Sequence, residues 1–307
     1  MTNAAQLSKV GCWKTTEQEA LLIVGKATEK QSSVIDNLSE VCAKKWSLSD
    51  LSLEGNTPHS RFYSCNSEQF GPALLKILSN DGLQIEAGGF EVLSSYPDGD
   101  AVRIFAHDHK CAVMEVLEGP RLLDLIDNGQ ADVALEEQLV LTDRLLAANV
   151  SVSGLKSLNF MLRNCLAMTA DRIPEWATDV VLKAQNIVHD LLGSQDGWVV
   201  LHGDLHPRNI MKHEGTWRAI DARGIFGPAA FEYANAFINP WDRKDVIFED
   251  GRMESLVETI DTRLGCGSKT VAGCAIANAL YYAHVSFQFG QGRHPVKCIR
   301  KLLEFIY

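Results

Sequence analysis

The chain has 307 residues, of which 46% are hydrophobic and 22% charged, and a formal net charge of −10. That length can bury a sizeable core in one or two domains, and the balance is ordinary for a soluble globular protein. The acidic charge argues against a nucleic-acid-coating role, and no apolar run approaches the roughly 18 residues of a membrane span.

Met1 to Val10 carries neither a long apolar core nor a cleavage signature, so a cytoplasmic location is expected. The eight cysteines are scattered without a CxxC pair and read as free, mostly buried thiols rather than disulfides or zinc ligands. In the first 35 residues, Leu21-Leu22-Ile23-Val24 fits a strand or part of a helix. Residues 34 to 46 read as a helix with Ile35, Leu38, Val41 and Cys42 on one stripe, and 47 to 60 reads as loop.

From Arg61 the pattern becomes that of strands. Arg61 to Cys65, a turn through Asn66 to Gly71, and Pro72 to Leu78 make a hairpin. Lys76 is a lone cation inside the second apolar strand, where an unpaired charge is almost never buried. Either it has a partner, or it faces solvent from an edge strand. A helix is expected over 82 to 95, with Glu86, Phe90 and Leu93 on one face. Glu86 and Glu91 are the candidate partners for Lys76. Ala101 to Ala106 and Cys111 to Val116 read as two strands, and His107-Asp108-His109-Lys110 as a solvated turn rather than a metal site. Met114-Glu115-Val116-Leu117 then runs into Glu118-Gly119-Pro120, which ends the strand-rich half.

Beyond residue 120 the pattern is helical. Helices are expected from Leu122, over 136 to 150 with Leu139, Val140, Thr142, Leu145, Leu146 and Val150 inward, and over 155 to 168, 178 to 193, 229 to 238, 253 to 264 and 270 to 288. Set among them is Val199-Val200-Leu201-His202-Gly203-Asp204-Leu205-His206-Pro207-Arg208-Asn209-Ile210-Met211, an apolar approach and exit around a polar knot with the spacing H-x-D-x-x-x-x-N. Asp221 follows a second short apolar-flanked run, Trp217 to Ile220. Phosphoryl transfer needs a carboxylate for the acceptor hydroxyl's proton and oxygen ligands for magnesium on the phosphates. Asp204 fits the first role; Asn209 and Asp221 fit the second, in the order of a kinase catalytic loop and its metal-binding Asp. The competing explanation is that Asp and Asn merely cap the loop's own backbone. Neither a G-x-G-x-x-G loop nor a Walker A motif occurs.

His202 to Ile210 resembles the catalytic motif of the aminoglycoside phosphotransferases. Ile220 to Asn235 and Asn239-Pro240-Trp241-Asp242-Arg243 resemble the streptomycin 6-kinase and hydroxyurea-resistance kinase branch. The resemblance runs from about Lys76 to the C-terminal helices. Where that branch commonly has Asp-Pro-Lys-Gly or Asp-Pro-Val-Gly, this chain has Asp221-Ala222-Arg223-Gly224.

The resemblance implies an α+β, protein-kinase-like fold with a β-rich N-lobe over residues 1–116 and a mostly helical C-lobe over 117–307. It implies ATP and magnesium (Mg2+) as cofactors. Lys76 would bind the nucleotide phosphates and pair with Glu86, which the family's spacing favours over Glu91. The backbone at Glu115 and Leu117 would meet the adenine edge, Asn209 and Asp221 would hold the metal, Asp204 would be the base, and His202 would order its loop. His59 to Ser64 would cover the phosphates. The acceptor would be a small molecule with a hydroxyl, a cationic sugar such as streptomycin being one candidate. Glu232, Asp242, Asp245, Glu249 and Asp250 are candidate carboxylates for it by chain position, against the common alternative of a solvated face, and Tyr233 and Trp241 are rings that could stack on it, although core packing is the favoured explanation for both. An endogenous sugar or amino alcohol, or a nucleotide-binding module without turnover, are the alternatives. A protein kinase is disfavoured because no Ala-Pro-Glu element follows Asp221.

Overall fold

The computed structural model describes residues 38–307, so the Leu21–Val24 patch and Ile35 lie outside the described residues. The chain divides into two compact units. The first comprises the described residues up to Arg121 together with Ile210–Gly224, and the second comprises Leu122–Asn209 with Ile225–Tyr307.

The first unit is built on a five-stranded antiparallel sheet. Its strands are β1 (Leu48–Asn56), β2 (Ser60–Ser67), β3 (Gly71–Leu78), β4 (Ile104–His107) and β5 (Cys111–Met114), in the order β1-β2-β3-β5-β4. The expected hairpin is β2–β3, in register from Ser60 opposite Leu78 to Ser67 opposite Gly71. Alternation along β3 sends Ala73, Leu75 and Ile77 into a core with Tyr63, Cys65, Cys111 and Val113. Lys76 therefore points to the opposite face.

Residues 47 to 60 are not a loop: β1 occupies most of them. Its outer side is exposed and it pairs with β2 through two irregularities, so it lacks the alternation that marks a strand. Ser60 to Ser64, expected over the phosphates, lie in β2, and the turn itself is Thr57–His59, where the Thr57 hydroxyl accepts from the backbone N–H groups of His59 and Ser60. Residues 38–45 are helical; Cys42 is buried as expected, but Val41 is 52% exposed.

The single helix expected over 82 to 95 is two, α1 (Asn80–Glu86) and α2 (Gly89–Ser95). They break where main chain meets main chain. A Cβ on Gly89 would stand 1.9 Å from the Ala222 carbonyl oxygen, and one on Gly224 would stand 2.3 Å from the Gly88 carbonyl carbon. Gly224 also has φ +67, the left-handed region that favours glycine. Asp108 closes the β4–β5 turn by accepting from the N–H groups of Lys110 and Cys111.

The segment 210–224, expected within residues 117–307, packs with this sheet unit. It holds the hairpin β8 (Ile210–His213) and β9 (Thr216–Ala219). Ala219 exchanges backbone hydrogen bonds with Asp100 and Val102, and Lys212 N donates to Pro120 O at 2.9 Å.

The second unit is mostly helical, with α3 (Leu122–Asp127), α4 (Ala131–Ala147), α5 (Leu158–Leu166), α6 (Thr178–Leu191), α7 (Lys244–Ile247), α8 (Arg252–Leu264), α9 (Ser268–Phe287) and α10 (Arg293–Leu302). A small sheet joins β6 (Lys156–Ser157), β10 (Ile225–Pro228) and β7 (Trp198–Leu201). Residues 229–237 wind as a 3₁₀ helix. In α4, Leu139, Thr142 and Leu145 face inward as expected, whereas Val140 is 38% exposed and Gln138 is buried. No helix among the described residues is long and apolar enough to cross a membrane, α9 included. Cys42, Cys65, Cys111, Cys165, Cys266, Cys274 and Cys298 are free thiols.

Candidate active site

Lys76 lies on β3, between Phe62 of β2 and Ala112 of β5, so its strand is central and the solvent-facing alternative fails. The residue is 3% exposed. Its ammonium donates to Glu86 Oε2 at 2.5 Å and to Asp221 Oδ1, and lies 5.6 Å and 5.8 Å from the ring centroids of Phe62 and Phe90. Burial alone would push the ammonium's pKa down. The opposing charges of Asp221 and Glu86 outweigh it and hold the pKa above its ordinary value. Glu86, at the end of α1, is thus the partner, rather than Glu91. Asp221 adopts φ +63 just past β9. A small cavity beside the ammonium is lined by Lys76, Phe90, Leu93, Met114, Asp221 and Ala222.

After β5 the chain runs on without regular secondary structure. Glu115 N donates to Arg103 O at 3.0 Å, and its carboxylate accepts from Arg103 N at 2.6 Å and from Arg218 Nη1 at 2.7 Å. Leu117 is buried. Gly119 runs against β8: a Cβ there would stand 1.9 Å from Lys212 O. The Glu115 side chain thus braces residues 101–103 and β9.

In the second unit β7 leads into the His202–Asn209 loop. His202 is fully buried, and its Nδ1 accepts from Asp204 N at 3.2 Å. Gly203 has φ +78, which turns the chain so that Asp204 leaves the buried path. Asn209 Nδ2 donates to Asp204 O at 3.0 Å, and Gln138 Nε2 donates to Leu205 O at 3.0 Å. With its amide nitrogen so engaged, Asn209 has its carbonyl oxygen as a donor atom for a hard cation. A carboxylate and an amide oxygen are the ligand types magnesium takes, so Asp221 and Asn209 fit that ion chemically.

Glu232 corrects an expectation. It is no acceptor-site carboxylate: it is 2% exposed, and both its oxygens accept from Gly203 N, at 3.3 and 3.2 Å. Burial raises its pKa to about 8, against the lowering effect of the Gly203 N–H, with the Asp204 charge adding to the rise. The clue in the sequence is a lone carboxylate inside the apolar run Ala229 to Phe237. Tyr233 packs in the core, as favoured over stacking; its hydroxyl donates to Asp143, which also pairs with Arg263. Asp242 accepts from Arg208 Nη2 at 2.9 Å through both oxygens, and Asp245 pairs with Arg243 at 2.9 Å. Glu249 and Asp250 are exposed. Trp241 is half-buried, 5.7 Å from the ring of Tyr282. Tyr282 and Asn235, not anticipated, also approach the loop: the Tyr282 hydroxyl is 3.4 Å from Asp204 Oδ1 and 3.4 Å from Asn235 Oδ1.

The chain is similar to several kinases and phosphotransferases. It is 28% identical over 175 residues to the streptomycin 3''-kinase of Klebsiella pneumoniae, a match that covers 55% of this chain and 61% of that relative. Among solved structures, aminoglycoside phosphotransferase APH(4)-Ia superposes with a TM-score of 0.60 at 16% identity, covering 88% of this chain and 98% of that one. An amicoumacin kinase in complex with AMP-PNP, Ca2+ and Ami gives 0.58 at 15% identity, covering 90% and 96%. These likenesses show a shared α+β fold, a sheet-bearing unit and a helical unit. The family model for aminoglycoside/hydroxyurea antibiotic resistance kinases matches residues 45–285, and the chain belongs to that family.

Proposed function

We propose that the chain is an ATP- and magnesium-dependent kinase that moves the γ-phosphoryl group of ATP to a hydroxyl of a small molecule, with an aminoglycoside of the streptomycin type as first candidate. The observation that carries the reading is the loop at Asp204, an ionisable carboxylate on a turn anchored from beneath by buried His202, Asn209, Gln138 and Glu232. That is how a general base is preorganised.

In this reading Asp204 accepts the proton of the acceptor hydroxyl as its oxygen bonds to the γ-phosphorus. The bond from that phosphorus to the bridging oxygen breaks, and ADP leaves. Lys76, buried and oriented by Glu86, binds the nucleotide phosphates. The backbone at Glu115 and Leu117 meets the adenine edge. Asn209 and Asp221 hold magnesium, which neutralises phosphate charge when bound. His202 contacts the backbone N–H of Asp204 and acts as a positioning residue.

A second reading has an observation of its own. Glu232 is buried, and Asp242 and Asp245 are each paired with an arginine, so three of the carboxylates expected to receive a polycation are already engaged. That favours a less cationic acceptor, such as an endogenous sugar or amino alcohol.

The test is ATP consumption with magnesium against streptomycin, hygromycin B, hydroxyurea, simple amino sugars and choline-like alcohols, in wild type and Asp204→Ala. Stimulation by one acceptor, lost by roughly a hundredfold or more in Asp204→Ala with ATP binding kept, is the expected result. An Asp204→Ala protein that keeps most of its turnover would overturn the assignment of the base.

A further inference from the structure

The hydroxyl of Tyr282 has one proton, and Asp204 Oδ1 and Asn235 Oδ1 both lie 3.4 Å from it. The neighbours decide which of them receives it. Asn235 Oδ1 already accepts from Asn239 Nδ2 at 3.0 Å and from Asn278 Nδ2 at 3.2 Å. An amide oxygen has two lone pairs, and these two donors fill both. Asn235 and Asn278 are 3% and 1% exposed. A carboxylate is also the stronger acceptor.

The arrangement comes from helical spacing on α9 and from a turn in which Asn239 N donates to Asn235 O at 2.9 Å. Asn278 and Tyr282 are four residues apart on α9 and share a face, and Asn235 and Asn239 stand at the same separation. The Tyr282 ring is held by Trp241 and Tyr281, each with its centroid 5.7 Å away.

We propose that Tyr282 is a positioning residue of the phosphotransfer reaction: its hydroxyl donates to Oδ1 of Asp204 and holds that carboxylate in one orientation for the acceptor hydroxyl, while Asn239 and Asn278 occupy the Asn235 oxygen that would compete for the proton. The inference rests on the kinase reading for the reaction, and on the contacts alone for the direction of the proton.

The experiment has two arms on the full chain. In the first, tyrosine labelled with ¹³C at Cζ is incorporated, and the Tyr282 signal is assigned by its loss in Tyr282→Phe. That signal reports donation by the hydroxyl. It should move in Asp204→Asn, which exchanges a charged acceptor for a neutral one; an unmoved signal overturns the inference. In the second arm, Tyr282→Phe keeps the ring and its packing while removing the proton. Its kcat with streptomycin and magnesium-ATP should fall by about tenfold or more, tenfold being the lower end of what one hydrogen bond to a charged group contributes. KM for ATP should stay within about twofold, since nucleotide binding is untouched. A moving signal with unchanged kcat would also overturn the positioning role. A moving signal with a wild type that phosphorylates no acceptor would overturn the kinase reading and leave the direction of the proton supported.

Discussion

Replacing Glu232 by Gln should change how stability depends on pH far more than it changes stability at neutral pH. The buried carboxyl titrates at about 8 instead of near 4.5. At RT ln 10 for each pH unit, that displacement is worth roughly 5 kcal/mol. The folded chain binds this proton more tightly than the unfolded chain does. Its contribution is therefore fully present below about pH 4.5 and is lost as pH rises through 8. Gln carries no titrating proton, yet its side-chain oxygen can still accept from Gly203 N, so the loop keeps its anchor. Denaturant unfolding of both proteins from pH 5 to 8.5, taken as the difference at each pH, cancels the titrations they share. Glu232→Gln should gain on wild type by several kcal/mol across that range. Parallel curves, differing by less than about 1 kcal/mol over the range, would show that burial does not govern this carboxyl.

Two further substitutions test the first unit. Lys76→Met leaves the Glu86 and Asp221 carboxylates facing each other without the ammonium between them; a loss of roughly 3 kcal/mol in unfolding free energy and of detectable ATP binding is expected, and a protein that binds ATP normally would contradict the phosphate role. Gly89→Ala drives a methyl group to within 1.9 Å of the Ala222 carbonyl oxygen, so the α2 start or the Asp221 segment must shift. A cost of about 1–3 kcal/mol is expected, read as a lowered Tm together with weaker magnesium-nucleotide binding, and an unchanged Tm would show that the approach is looser than it stands here.

The legible parts of the sequence are those in which one short stretch carries its own pattern. β3 alternates around Lys76, the His202–Asn209 loop has fixed spacing between apolar flanks, and the helices of the second unit repeat at helical period. What was not legible depends on residues distant in sequence. β1 is a strand because β2 offers it backbone partners, although residues such as Leu53, at 54% exposed, leave no apolar face to read. The helix expected over 82 to 95 breaks because the main chain of 222–224 passes against Gly88 and Gly89. The apolar neighbours of Glu232 hint at burial, but nothing local reveals its partner, Gly203 N, 29 residues away in sequence. Val41 and Val140 fit their apolar stripes but fall at the rim, where helix rotation is set by what packs opposite.

The meeting of Gly88 and Gly89 with Ala222 and Gly224 has a consequence for how this family can diversify. A contact made of main chain alone is indifferent to side-chain chemistry, yet it has no slack in length. The path from Asp221 to Gly224 is therefore fixed by its backbone, while the side chains at 222 and 223 answer to their own buried surroundings. One inserted or deleted residue would slide the left-handed Gly224 out of register with Gly88. Length is thus the stricter constraint there, and keeping it leaves the carboxylate of Asp221 at a constant distance from the strand that carries Lys76.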